Sequence, residues 1–204
     1  SFLGANDYSI GKLIDYLGEN SFDDGDIIIS NYPYWNAAHS YDATLTAPVF
    51  DHDGILFGYL LVRAHWMDLG AKDPGYVLDS TDMHQEGLIF PGTKLVKKRV
   101  IDQELIELLR FNSRMPDVVI GDFNAMVSSL RTGERRIQEI LKKFGRDIVD
   151  SSIAHILNAA QQATEKSLQA LPQGTWSASD IIDDDGIGEE AIEMRVSVTI
   201  RDGK

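Results

Sequence analysis

Residues 43–64 read as two apolar strands folded over one tight turn, and that hairpin constrains what the rest of the chain can do. Ala43 to Phe50 and Ile55 to Ala64 are rich in apolar and β-branched side chains, and Asp51-His52-Asp53-Gly54 between them is a turn signal. Antiparallel pairing brings the start of the first strand beside the end of the second. Those ends carry His39-Ser40-Tyr41-Asp42 and His65-Trp66-Met67-Asp68. Asp42 to Asp51 is nine steps and Asp53 to His65 is twelve, a mismatch that a bulge or an overhang absorbs. Two imidazoles and one or two carboxylates therefore converge at one end of the hairpin. Such a set suits Zn, Mn or Fe(II), and a two-histidine, one-carboxylate arrangement leaves open positions for substrate or water. Spacing alone also allows unrelated polar residues at strand ends.

Around the hairpin, Ile10, Leu13, Ile14 and Leu17 repeat at helical spacing, and Gly18 supplies a stop. Asp24-Gly25 turns into Asp26-Ile27-Ile28-Ile29-Ser30, a buried strand. Asn31 to His39 is expected as loop because of its polar and aromatic character and Pro33. Tyr32, Tyr34 and Trp35 lie next to the candidate site and could wall a pocket, although core packing is the commoner fate of such residues. Met67 to Glu86 is rich in Asp, Gly and Pro, and a loop of that size is usually functional or disordered. It could present Asp79, His84 or Glu86 to a site. His52 reads as solvated in its turn, and His155 as a surface or packing residue on a helix. Lys94, Lys97, Lys98 and Arg99 read most simply as a solvated basic hairpin.

From Asp102 the pattern turns helical. A short helix carries Leu105, Ile106, Leu108 and Leu109; a long one runs from Pro116 to about Phe144, with Gly133 as a potential kink; a second runs from about Arg146 to Leu171. A short joint at Gly145 predicts that the two long helices pack antiparallel. Thr175 to Ile200 alternates like strands. The expected fold class is α+β: a mixed β layer whose hairpin bears the metal site (residues 1–101), a long helical hairpin (102–174) and the start of a further β region (175–204).

Charge and composition exclude several classes. With 19 basic and 32 acidic side chains the formal charge is −13, which opposes a nucleic-acid interface. Apolar runs fall well short of the roughly 20 residues that span a bilayer, so no membrane partner is expected. Zero cysteines exclude disulfides, thiol catalysis and Cys-based zinc sites. A reducing, cytoplasmic location is compatible with this and is the expected one. A phosphate-cradling Gly-rich loop ending in Lys-Ser/Thr, Gly-x-Ser-x-Gly and His-Glu-x-x-His are all missing. Asp183-Asp184-Asp185-Gly186 hints at a calcium loop, but Ile181 and Ile192 occupy the positions where carboxylates would be needed, leaving a solvated acidic loop. The chain opens Ser1-Phe2-Leu3 without Met and ends on a turn signal, Asp202-Gly203, with no return strand, so a piece of a longer polypeptide is expected.

One constellation is specific. Gly25-Asp26-Ile27-Ile28-Ile29-Ser30-Asn31-Tyr32-Pro33-Tyr34, then His39-x-x-Asp42, then Arg63-Ala64-His65-Trp66-x-Asp68-Leu69-Gly70-x-Lys72-x-Pro74-Gly75 resembles the hydantoinase B/oxoprolinase family. The match continues through Gln85-Glu86-Gly87-Leu88-x-x-Pro91, Lys94-Leu95, Asn112-x-Arg114-x-Pro116, Gly121-Asp122 and Leu130-Arg131-Thr132-Gly133-Glu134-Arg135-Arg136. Residues 25–145 thus match in order and spacing.

The resemblance implies a subunit far longer than this chain, working with a hydantoinase A-type partner that binds ATP and Mg. It implies ATP-dependent chemistry at an amide or carbonyl, in which phosphorylation of the carbonyl or enol oxygen makes a better electrophile or a trapped enolate. Members open cyclic amides (hydantoins, 5-oxoproline, caprolactam) or carboxylate ketones such as acetone and acetophenone. The expected activity here is cyclic-amide hydrolysis, with ketone carboxylation or a scaffold role without chemistry as alternatives. The resemblance also implies a divalent metal on His39, Asp42 and His65, with a further carboxylate upstream of Ser1. It casts Asp68 as orienting a ligating imidazole. Many members have Asn-Asp-Pro-Tyr where this chain has Asn31-Tyr32-Pro33-Tyr34, which points to a more aromatic pocket and keeps the carboxylases in view.

Overall fold

The computed structural model describes residues 3–36, 39–188 and 190–201. Two compact units are present, Ser1–Ile140 and Leu141–Lys204.

The first unit is built on β1 (Ile27–Ser30), β2 (Asp42–Phe50), β3 (Leu56–His65), β4 (Thr93–Lys97) and β5 (Val100–Ile101), in the spatial order β3-β2-β1-β4-β5. Every neighbouring pair is antiparallel. β1 is the central strand, and Ile27, Ile28 and Ile29 are all fully buried. Alternation decides what each of them meets. Ile28 joins Leu13 and Phe22, with Ile10, Ile14 and Leu17 of helix α1 (Leu3–Leu17) packed against them. Ile27 and Ile29 point the other way, into the main core. That core contains Ile106 and Leu109 of α3 (Gln103–Phe111) and Val119, Phe123, Met126 and Leu130 of α4 (Pro116–Phe144). One face of the sheet is thus covered by α1 and the other by α3 and α4. α3 and α4 bury the sheet face that would otherwise be apolar and wet.

The expected hairpin is observed. Asp42 pairs with His65, Ala43 with Ala64 and Leu45 with Val62, and the register slips once, between Val49 and Phe50. That irregularity absorbs the unequal strand lengths. Two local expectations need correction. Pro33–Asn36 is a short helix, α2, rather than loop. Proline pre-sets the helical φ at its start, and the Asn36 side chain donates to the Ser30 carbonyl at 2.9 Å, stapling the turn to the end of β1. Gly133 does not break α4. A Cβ there would stand 3.0 Å from Leu60 Cδ1, so the missing side chain is what lets the helix approach β3.

The basic hairpin β4–β5 is more than a solvated turn. Lys94 Nζ lies 2.6 Å from Asp26 Oδ2, and Arg99 Nη2 lies 2.7 Å from Glu134 Oε1. Burial pushes the Asp26 carboxyl upward, but Lys94 and the backbone N–H groups of Lys98 and Asp23 outweigh it, so the net shift is down.

In the second unit, α5 (Arg146–Gln169) follows Gly145, at the predicted position. β6 (Gly174–Ile182) and β7 (Ile192–Ile200) pair antiparallel as a two-stranded ribbon. One face is polar, with Thr175 hydroxyl-bonded to Thr199 at 2.9 Å and Ser177 to Ser197 at 2.7 Å. The connecting acidic loop is closed internally, with Asp185 accepting from the N–H groups of Ile187 and Gly188. Among the described residues, no helix is long and apolar enough to cross a membrane.

Candidate metal centre

Strand parity builds the site. Ala43 and Ala64 face the α4 side of the sheet, as do Tyr41 and Trp66 just beyond the strands. Asp42 and His65, one residue over on each strand, project from the opposite face. Trp66 anchors this end of the hairpin: it is fully buried, its N–H donates to the Tyr41 carbonyl at 2.8 Å, and its indole N–H reaches Met126 Sδ at 3.1 Å. His39 is brought over the strand end by a tight turn in which the Asp42 N–H donates to the His39 carbonyl at 3.0 Å.

His39, Asp42 and His65 each offer one ligand-type atom, and these lie within 4.8 Å of one another. Asp42 Oδ1 is 3.3 Å from His65 Nδ1, and Asp42 Oδ2 is 3.5 Å from His39 Nε2. Asp42 is 2% exposed, yet its Oδ2 has no hydrogen-bond partner; the same holds for His39 Nδ1 and His65 Nε2. Buried polar atoms are costly to leave unpaired. Two imidazoles and a carboxylate form a donor set that a divalent cation satisfies. On that ground these residues fit a metal.

The neighbours sort differently from the sequence expectation. Asp68 does not orient an imidazole. Fully buried, it receives two side-chain hydrogen bonds from Arg114 at 2.9 Å each, and the backbone N–H groups of Arg114 and Gly70 at 2.7 and 2.9 Å. The Arg114 guanidinium, ahead of the opposing effect of burial, holds its carboxyl down to about 2. Its task is to pin the loop after β3 to the start of α4. Trp35 turns away from the histidines and packs on Tyr16 of α1, centroids 5.1 Å apart. Tyr32 packs between Tyr34 and Trp35. Of the three aromatics only Tyr34 reaches the site, sharing with His39 a cavity of about 270 Å³ lined also by Pro33, Ser80, Met83 and Glu86.

Tyr76 is the residue that the sequence reading missed. Its ring stacks on His65 at 4.6 Å with the planes 21° apart, and meets His39 edge-on at 5.4 Å. It sits on the long loop after β3, in a stretch without periodicity, and Gly75 beside it was the only local signal. That loop is pinned: Tyr41 Oη donates to the Asp73 carbonyl at 2.6 Å, Gly75 N–H to Met67 at 2.7 Å and Lys72 N–H to Gln85 at 2.8 Å. Glu86 closes its far end, accepting from Ser80 at 2.7 Å. His52 and His155 lie outside the cluster, and His84 pairs with Asp82 at 2.7 Å.

The beta chain of a caprolactamase from Pseudomonas jessenii is 31% identical over 179 residues, covering 87% of this chain and 31% of that protein. A protein from Pseudomonas sp. (strain NS671), provisionally named as the B-type subunit of a D-/L-hydantoinase, is 30% identical over 186 residues, covering 89% of this chain and 31% of its own length. The crystal structure of the ATP-dependent caprolactamase from Pseudomonas jessenii superposes with a TM-score of 0.87 at 26% identity, over 99% of this chain and 35% of that one. A nucleotide-free acetone carboxylase structure shares the fold, with a TM-score of 0.75 at 16% identity, over 98% of this chain and 28% of that one. The chain therefore spans about a third of the hydantoinase-type relatives it matches. The family profile for hydantoinase B/oxoprolinase matches residues 1–204 throughout, and the chain belongs to that family.

Proposed function

We propose that this chain is part of the B-type subunit of an ATP-dependent cyclic-amide hydrolase, with His39, Asp42 and His65 holding a divalent metal. The observation that carries the reading is the trio of unpartnered buried atoms, His39 Nδ1, Asp42 Oδ2 and His65 Nε2, in a cluster of ligand-type groups. When bound, the metal would supply Lewis-acid polarisation of the substrate carbonyl or a more acidic bound water.

The chain's own residues supply positioning and shape. Asp42 Oδ1 faces His65 Nδ1, fixing which imidazole nitrogen remains available as a ligand. Pro33, Tyr34 and Met83 form an apolar wall beside His39 on which a small ring can lie. Glu86, fixed by Ser80 and Ser40, presents an acceptor at the same cavity, suited to an amide N–H. No P-loop is present in the sequence, in keeping with ATP bound on an A-type partner.

The relatives named for caprolactam and hydantoin chemistry, at 31 and 30% identity, support a cyclic amide as the substrate class. The test is turnover by the intact protein with its ATP-binding partner. ATP-dependent opening of a hydantoin, 5-oxoproline or caprolactam is the expected outcome. Bicarbonate-dependent ATP turnover with a ketone, and none with cyclic amides, would replace the hydrolase reading by a carboxylase one.

A further inference from the structure

Tyr76 lies against both histidines of the cluster while its side is open to solvent: it is 65% exposed, although its ring stacks on His65 and meets His39 edge-on. An exposed tyrosine on an irregular loop would ordinarily be free to swing. Here the loop is held immediately before it. The Asp73 carbonyl is tied to Tyr41, and the Gly75 N–H to the Met67 carbonyl. Gly75 adopts a φ of 81°, a left-handed conformation that glycine tolerates at no steric cost and that delivers the chain directly to Tyr76. His65 thereby contacts two aromatic rings, Tyr41 at 5.4 Å and Tyr76 at 4.6 Å, while Asp42 engages its Nδ1. These contacts define the plane of the imidazole and hence the direction of Nε2, the atom left unpartnered.

We propose that Tyr76 is a positioning residue for the metal centre, fixing the ring planes of His65 and His39 through aromatic contact rather than ligating the metal. The inference rests on the metal reading above. It assigns the contribution to the ring face, so the phenol oxygen is dispensable.

The experiment measures Co²⁺ binding to the intact protein, by competition with a chelator and by the visible ligand-field spectrum, alongside the Tm of the metal-free form. Tyr76→Ala is expected to weaken binding about tenfold and alter the Co²⁺ spectrum, in line with the cost of losing a ligand-orienting neighbour. The metal-free Tm should stay at the wild-type value, because the side chain is mostly exposed. Tyr76→Phe should restore both affinity and spectrum. Gly75→Ala, which leaves the ring in the chain but strains the residue before it, should move affinity in the same direction as Tyr76→Ala. Wild-type affinity and spectrum in Tyr76→Ala would overturn the proposal alone, as would an affinity loss that merely follows a fall in the metal-free Tm. Failure of the wild type to bind Co²⁺, or wild-type affinity in His39→Ala, would remove the metal reading and this proposal with it.

Discussion

Asp42 and His65 are register partners at the open end of the β2–β3 hairpin, with Asp42 Oδ1 3.3 Å from His65 Nδ1. One carboxylate thus sits beside both histidines, since its other oxygen is 3.5 Å from His39 Nε2. Asp42→Asn keeps the size and removes the charge. Its expected effect is a metal affinity lower by about 10- to 100-fold, read by chelator competition. Unchanged affinity would mean that Asp42 serves only the hairpin.

Asp68 and Arg114 should be visible as a pH-dependent element of stability. The folded-state carboxyl of Asp68 is held down to about 2, chiefly by Arg114, below its ordinary value of 3.8. A depressed carboxyl contributes stability above its unfolded-state value, and that contribution is lost as pH falls from about 4 towards 2. Denaturant unfolding across that window should show wild type losing more stability than Asp68→Asn. Arg114→Ala strands a buried carboxylate and should cost about 3 kcal/mol at neutral pH.

Trp66 is expected to be the largest single side-chain contributor at this end of the sheet. It is fully buried, and its indole N–H contacts Met126 of α4. Trp66→Ala should cost about 3–5 kcal/mol in urea unfolding. A loss near zero would contradict the packing of α4 beneath the site.

Gly87 occupies a backbone conformation, φ 97° and ψ −163°, that essentially only glycine adopts. A Cβ there would lie 2.6 Å from the Leu69 carbonyl oxygen, and backbone atoms cannot step aside as a side-chain tip can. Gly87→Ala should therefore destabilise by about 1–3 kcal/mol, measured by the shift in urea midpoint at constant m. It should also loosen the chain that carries Glu86.

The clustering of His39, Asp42 and His65 was legible because a hairpin converts sequence separation into adjacency: strand starts and ends meet, whatever lies between them. That rule brought both histidines together with Asp42 or Asp68, the family resemblance singled out His39, Asp42 and His65, and the slip at Val49 and Phe50 resolved the unequal strand lengths. Periodicity likewise located α4 and α5. What it could not reach were partners fixed only by tertiary structure. Asp68 stands beside the site in sequence but belongs to Arg114, 46 residues away. Tyr76 lies on a loop without register, so nothing local places its ring on His65. Trp35 follows Tyr34 directly, but the short helix that Pro33 starts rotates the two apart, one towards α1 and the other towards the cavity. Gly133 signalled a potential kink and permits a close approach, because Leu60 lies beneath it.

Whether His39, Asp42 and His65 hold a divalent metal is decided by elemental analysis of the purified intact protein beside His39→Ala and His65→Ala. One Zn, Mn or Fe per chain is expected in the wild type, with loss of that metal in both variants and folding retained by circular dichroism. Metal-free wild type after metal-replete purification, or variants that keep the full complement, would contradict the metal reading.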